Sequence, residues 1–256
     1  MLVVLTAILA SCGTTTQVPV TGRKQRLVVS DEQVMSLSNQ EYQSYMKSAK
    51  ISTDATNTAM VKRCGQRLAA AVETYLRNNG YANEISNYQW EFNLVQNNQV
   101  NAFCMPGGKI VVYEGILPVT KDEASLAIVL GHEIAHAVAK HSAERISNSQ
   151  KQQTAVSVLG GVATAAGMGP NTSSIVSSVV GLGTKAFTSG FSRSQESEAD
   201  HIGLIFAAMA GYDPENALAF WQRMAAAGTS SNSIFSDHPS DEKRIRQIQE
   251  IGRAHV

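Results

Sequence analysis

The 256-residue chain has no excess charge of either sign: 21 Lys and Arg stand against 21 Asp and Glu. Surfaces that bind nucleic acid usually carry a basic excess, so no nucleic-acid partner is expected. Charged residues are scarce altogether, 16% of the chain against roughly 25% in an average soluble domain. Cysteine is scarce too; three residues are too few for a disulfide scaffold. No internal repeat is visible. No unbroken apolar run approaches the roughly 20 residues of a membrane-spanning helix. Met1 to Ala10 is short, and the Gly-, Ala-, Ser- and Val-rich stretch 155–187 is interrupted by Gly160-Gly161, Gly167, Gly169-Pro170 and Gly181. What the chain does have is apolar side chains, 43% of residues, enough for one real core and too many for a disordered chain.

The short apolar N-terminus has the length of a signal-peptide core. It runs into Leu9-Ala10-Ser11-Cys12, which resembles the lipobox of bacterial lipoproteins. That resemblance implies cleavage before Cys12 and its lipidation. It divides the chain into a signal peptide (1–11), a polar tether (12–29) and one domain (30–251). No Lys or Arg precedes the apolar run, a departure from the pattern. No Asp follows Cys12, so the expected location is the bacterial cell envelope, lipid-anchored at the periplasmic face of the outer membrane. In such an oxidising compartment, Cys64 and Cys104 either form one disulfide or pack as two buried thiols. Segment 155–187 either forms two short helices packed near the site or touches the bilayer.

Apolar residues at three- and four-residue spacings predict helices over about 28–47 and 54–79. Trp90, Phe92 and Leu94 alternate with polar residues, the period of a half-buried strand. Residues 100–105 and 109–113 flank Pro106-Gly107-Gly108 as a hairpin, so a small mixed sheet is expected. Thr120 and Glu123 have the spacing of a capping box, and no proline interrupts the helix predicted from there to about Asn148. Further helices are expected over 195–210, ending at Gly211, from Asp213-Pro214 to about 227, and over 241–251.

His132-Glu133-Ile134-Ala135-His136 lies within the capped helix. Histidines at i and i+4 leave one helical face, where two imidazole nitrogens can bind Zn²⁺. A carboxylate at Glu133 can act as general base toward a zinc-bound water. Ala139 and Ser142 stand where the metzincin pattern needs Gly and His, which excludes that class. His141 reads as a helix-end histidine. The third ligand must come from further on, and Glu196, Glu198 and Asp200 are candidates. Glu196 and Asp200 share a helical face, from which Glu198 points away, and one of the pair could bind the metal while the other holds a histidine's second N–H. Spacing alone does not choose among the three.

His-Glu-x-x-His followed by Glu-x-x-Ala-Asp resembles the metallopeptidases of the HtpX and CAAX prenyl protease family. Within it, the chain is similar to exported lipoprotein members and to protease domains of the BepA and OMA types. The matches run from Asn101-Ala102-Phe103 and Pro106-Gly107-Gly108 through both metal motifs to Ala210-Gly211-Tyr212-Asp213-Pro214 and His238-Pro239. The resemblance implies an α+β fold: a mostly helical, zincin-like domain with a small mixed sheet beside the active-site helix. It implies one Zn²⁺ held by His132, His136 and Glu196, with Glu133 as base and Asp200 behind the ligands. It makes Asn101, Ala102, Phe103 and Cys104 a substrate-pairing edge strand, and places His238 and Arg244 by the metal. There they would stabilise the oxyanion, or His238 would occupy the fourth zinc position at rest. Cys104 departs from the residue usual at its position. The function implied is a zinc endopeptidase cutting unfolded or misfolded envelope proteins. The competing reading is a chaperone-like assembly factor that uses the same groove, with envelope chaperone or assembly partners. A structural zinc would need four closed protein ligands, often cysteines, and the sequence supplies none near the box.

Overall fold

A computed structural model describes residues 13–159, 184–188, 190–226, 246 and 248. The signal segment, Cys12, residues 160–183 of the glycine-broken stretch, His238 and Arg244 lie outside the described residues. Of the last expected helix only Arg246 and Ile248 are described, and both are helical.

The stretch read as a tether is folded. Thr14–Gln17 (β1) and Lys24–Leu27 (β2) pair antiparallel, with Thr14 opposite Leu27. The loop between them is closed by the Arg23 carbonyl accepting from Val18 N–H and the Val18 carbonyl accepting from Gly22 N–H. Val18 is fully buried in the main core. Val18 in the main core, Leu27 in a second cluster and a closed loop dock a segment whose composition reads as solvated.

Asp31–Ser48 (α1) starts at a capping box of Ser30 and Gln33. Ala55–Asn78 (α2) starts at Asp54, whose carboxylate accepts Asn57 N–H at 2.9 Å. The buried face of α2 carries Val61, Cys64, Leu68, Val72 and Leu76, the helical spacing seen in the sequence. Glu91–Val95 (β3), Ala102–Met105 (β4) and Lys109–Tyr113 (β5) form a mixed sheet in the order β3-β5-β4, parallel between β3 and β5 and antiparallel between β5 and β4. Gly107 and Gly108 turn the hairpin at φ 91° and 79°, left-handed values that side chains resist. Both faces of β4 and β5 are covered. Ala102, Cys104, Ile110 and Val112 face the main core, while Phe103, Met105, Val111 and Tyr113 face a second cluster with Val34, Tyr42 and Phe187.

The single helix expected over 120–148 is two. Glu123–Val138 (α4) is capped by Asp122, whose carboxylate accepts Ser125 N–H at 2.7 Å. Thr120 instead ends a short turn, Leu117–Thr120 (α3), with its hydroxyl on the Leu117 carbonyl. A charged acceptor complements the helix N-terminus better than a hydroxyl, so the start shifts to Asp122. The break comes at Lys140, which takes φ 54°. Its ammonium is held by Asp31 at 2.7 Å and Glu84 at 2.8 Å. His141–Leu159 (α5) begins beyond it.

Lys185–Thr188 (α6) precedes Arg193–Met209 (α7). A Ser192–Gln195 capping box opens α7, and Gly211 follows its end at φ 81°. Asn216–Ala226 (α8) starts two residues after Pro214, because Asp213 spends its carboxylate on a local turn to Glu215 N–H. Helix α4 is buried from Ser125 to Val138. It crosses α7 where Gly131 meets Gly203 so closely that a Cβ on Gly203 would stand 2.7 Å from the Gly131 carbonyl carbon. Cys64 and Cys104 are both free and buried, which settles their pairing in favour of thiols.

Candidate metal centre

The backbone contact between Gly131 and Gly203 brings the α7 carboxylates to the α4 histidines. His132 Nε2 and His136 Nε2 lie 3.1 Å apart. Glu196 places one carboxylate oxygen 3.5 Å from each. All three side chains are nearly inaccessible, and their donor atoms fall within 4.8 Å of one another. A tetrahedral zinc with bonds of about 2.0–2.1 Å holds its ligands about 3.3–3.4 Å apart. The donor separations fit that ion, and two imidazoles with one carboxylate leave a fourth position for water or substrate. Of the three carboxylates that spacing left open, Glu196 is the one that stands with both histidines as a group able to hold a metal ion.

Asp200, one turn along α7, accepts a hydrogen bond from His132 Nδ1 at 2.9 Å, which turns Nε2 of that ring toward the metal. Burial alone would depress the His132 imidazole, but Asp200 and Glu196 outweigh it and push its pKa up to about 9. The carboxylates that favour a proton there equally favour a metal cation. Aromatic rings wall the site. Phe191 stacks on His136 with centroids 4.0 Å apart, and Trp221 meets His132 edge-on at 6.0 Å. Glu133, between the two ligands in sequence, is 2% exposed.

By sequence, His141 reads as a helix-end residue and Glu198 as a carboxylate that points away from the face of Glu196 and Asp200. Both are buried and paired. His141 Nδ1 lies 2.9 Å from His136 Nδ1, and His141 Nε2 lies 3.0 Å from Glu198 Oε2. Glu198 does face away from the metal, but into the protein rather than into water. Burial would raise its pKa, yet hydrogen bonds from His141, Thr21 and Arg23 hold it at about 2. The available signal was a third histidine five residues after His136. The break at Lys140, after which that histidine meets His136 Nδ1, carries no proline or glycine to announce it.

Of the expected substrate strand, Ala102, Phe103 and Cys104 lie in β4, an edge of the three-stranded sheet among the described residues, packed against α4. Asn101 immediately precedes it, and its carboxamide oxygen accepts Ala102 N–H at 2.8 Å. Cys104 lies close enough to feel the charge of Glu133. Burial pushes its thiol well above the usual range, and Glu133 adds to this, which makes it an inert wall residue.

Residues 57–252 match Peptidase family M48. The chain is 41% identical over 169 residues to the mitochondrial metalloendopeptidase OMA1 of Schizosaccharomyces pombe, covering 65% of this chain and 48% of that protein. It is 31% identical over 246 residues to the mitochondrial metalloendopeptidase OMA1 of Bos taurus, covering 91% of this chain and 45% of that one. It is 27% identical over 208 residues to the beta-barrel assembly-enhancing protease of Escherichia coli, covering 77% of this chain and 39% of that protein. The chain thus spans less than half the length of each of these relatives. They overturn the expected location at the bacterial outer membrane: the higher identities are to mitochondrial proteins of eukaryotes. Among the described residues, no helix is long and apolar enough to cross a membrane. Two histidines and a glutamate at zinc spacing on crossed helices, and a match that runs through both helices, place the chain in peptidase family M48.

Proposed function

We propose that the chain is a zinc endopeptidase that cuts unfolded or misfolded polypeptides. The observation that carries this is the convergence of His132, His136 and Glu196 within 4.8 Å, with Glu133 on the same turn of α4 as two of them. Bound there, zinc supplies a Lewis acid that polarises a peptide carbonyl and acidifies a water. Glu133 accepts the water proton as the oxygen attacks the carbonyl carbon, then delivers it to the departing amine as the C–N bond breaks. Asp200 keeps His132 turned toward the metal. An extended substrate adds to the edge of β4 through backbone hydrogen bonds, a mode open only to chain that is not already folded. A chaperone-like binder would use the same edge, but it has no need of a base at Glu133.

Digestion of a denatured protein by the purified, zinc-loaded chain tests the reading. Glu133→Gln should keep zinc and fold and lose activity by about 10²–10⁴-fold. A near wild-type rate in that variant would sink the mechanism. His238 and Arg244 enter through the family resemblance alone. In the same assay His238→Ala should raise the basal rate if His238 holds the fourth zinc position, or lower it by about a hundredfold if it donates to the oxyanion; an unchanged rate rejects both roles.

A further inference from the structure

The two zinc histidines are held by different devices. His132 donates directly to a carboxylate, whereas His136 meets another imidazole, His141, which is fully buried. A ring whose Nε2 lone pair faces a cation carries its proton on Nδ1. His136 Nδ1–H therefore donates to His141 Nδ1. That fixes the His141 proton on Nε2, from which it is donated to Glu198 Oε2. This proton arrangement satisfies both contacts with each ring neutral.

The row continues into the N-terminal hairpin. Glu198 Oε1 accepts from the Thr21 hydroxyl at 2.5 Å, and Oε2 from Arg23 Nε at 2.7 Å. The other two guanidinium nitrogens of Arg23 grip both oxygens of Glu144 at 2.8 and 2.9 Å, and Gln195, next to the metal ligand Glu196, donates to Glu144 at 2.8 Å. The loop that presents Thr21 and Arg23 is closed by its own backbone bonds and anchored by Val18. It therefore ties the N-terminal parts of α5 and α7 together.

We propose that His141, Glu198 and the Thr21–Arg23 loop form a positioning relay that sets the His136 ring for zinc. The inference rests on the zinc reading of His132, His136 and Glu196. Residues 21–23 lie outside the 57–252 that match the family, so this support reaches the metal from a part of the chain the family match does not include. An imidazole placed between Glu198 and His136 transmits orientation while keeping a fourth carboxylate one ring further from a site that already holds Glu133, Glu196 and Asp200. A merely structural ion-pair cluster would affect folding stability and leave the metal's affinity and coordination unchanged.

Zinc affinity of the full chain, measured by competition with a chromogenic chelator, tests the relay together with the visible spectrum of the cobalt-loaded protein. His141→Leu removes donor and acceptor and should weaken zinc by about ten- to a hundredfold and shift the cobalt bands. His141→Gln keeps one donor and one acceptor and should recover most of the loss. Arg23→Gln, at the half-exposed end of the row, should weaken zinc on the order of fivefold. If His141→Leu does not fold, Arg23→Gln decides the question. Wild-type affinity and an unchanged cobalt spectrum in the folded variant, even with a lowered melting temperature, overturn the relay and leave the zinc site standing. If the wild-type chain binds no zinc, the metal reading falls and the relay with it.

Discussion

At His132, burial and two carboxylates act on one ring in opposite directions, and the carboxylates prevail. Asp200 is the partner that can be altered without touching a ligand atom. Asp200→Asn keeps an acceptor for His132 Nδ1–H but loses the charge, and should weaken zinc by about ten- to a hundredfold. Chelator competition at neutral pH reads the change, and an unaltered affinity would show that the hydrogen bond at 2.9 Å does not tune the metal. The His132, Glu133 and His136 trio was legible at this scale because a helix converts fixed sequence spacing into a shared face. Glu196 and Asp200 were legible as a pair for the same reason, but not their roles, which depend on which of them meets α4 first. The orientation of Glu198 is legible in the sequence, but its partners, and the roles of His141, Thr21 and Arg23, are not. Each reads as an ordinary polar residue until burial and partners from distant segments give it one role.

The crossing of α4 and α7 matters most among the elements, because it sets how far the Glu196 and Asp200 carboxylates stand from the histidines. Its closeness rests on Gly131 and Gly203. A Cβ on Gly131 would lie 2.7 Å from the Gly203 carbonyl oxygen, and one on Gly203 equally close to His132 N. Both obstacles are backbone, so no rotamer change relieves the clash and the helices must part. Gly203→Ala should cost about 1–3 kcal/mol of stability and weaken zinc as well, read by denaturant unfolding and chelator competition on the same samples. A loss of stability with zinc affinity intact would mean that α7 slides without moving Glu196. The sequence marked helix bodies well and their ends less well. The Asp122 cap displaced the expected start at Thr120, and the ion-paired Lys140 split one predicted helix into two, since ends are decided by which local acceptor or distant charge competes best.

For the molecule as a whole, α1, the sheet, the hairpin β1–β2 and the crossed helices pack on two adjoining clusters, and the metal donors come from α4 and α7, far apart in sequence. Zinc binding should therefore stabilise the entire fold. At about 100 times its dissociation constant, a ligand adds about 2.7 kcal/mol, a shift of about 5–10 °C in melting temperature for a chain of this size. Stripping zinc with a chelator should lower the melting temperature by that amount, and Glu196→Gln should abolish the difference. An equal shift in that variant would place the stabilising metal elsewhere. The sequence by itself determined the helical bodies, the mixed sheet and the His-Glu-x-x-His face, because each is written in a local period of two or about 3.6 residues. Only the tertiary structure decided that Glu196 is the carboxylate that joins the two histidines, that residues 14–27 are a docked hairpin rather than a tether, and that His141 and Glu198 stand behind His136. Those are contacts between segments roughly 60 to 175 residues apart, fixed by how closely two glycines let helices approach and by where one buried valine anchors a loop, and no local pattern encodes either.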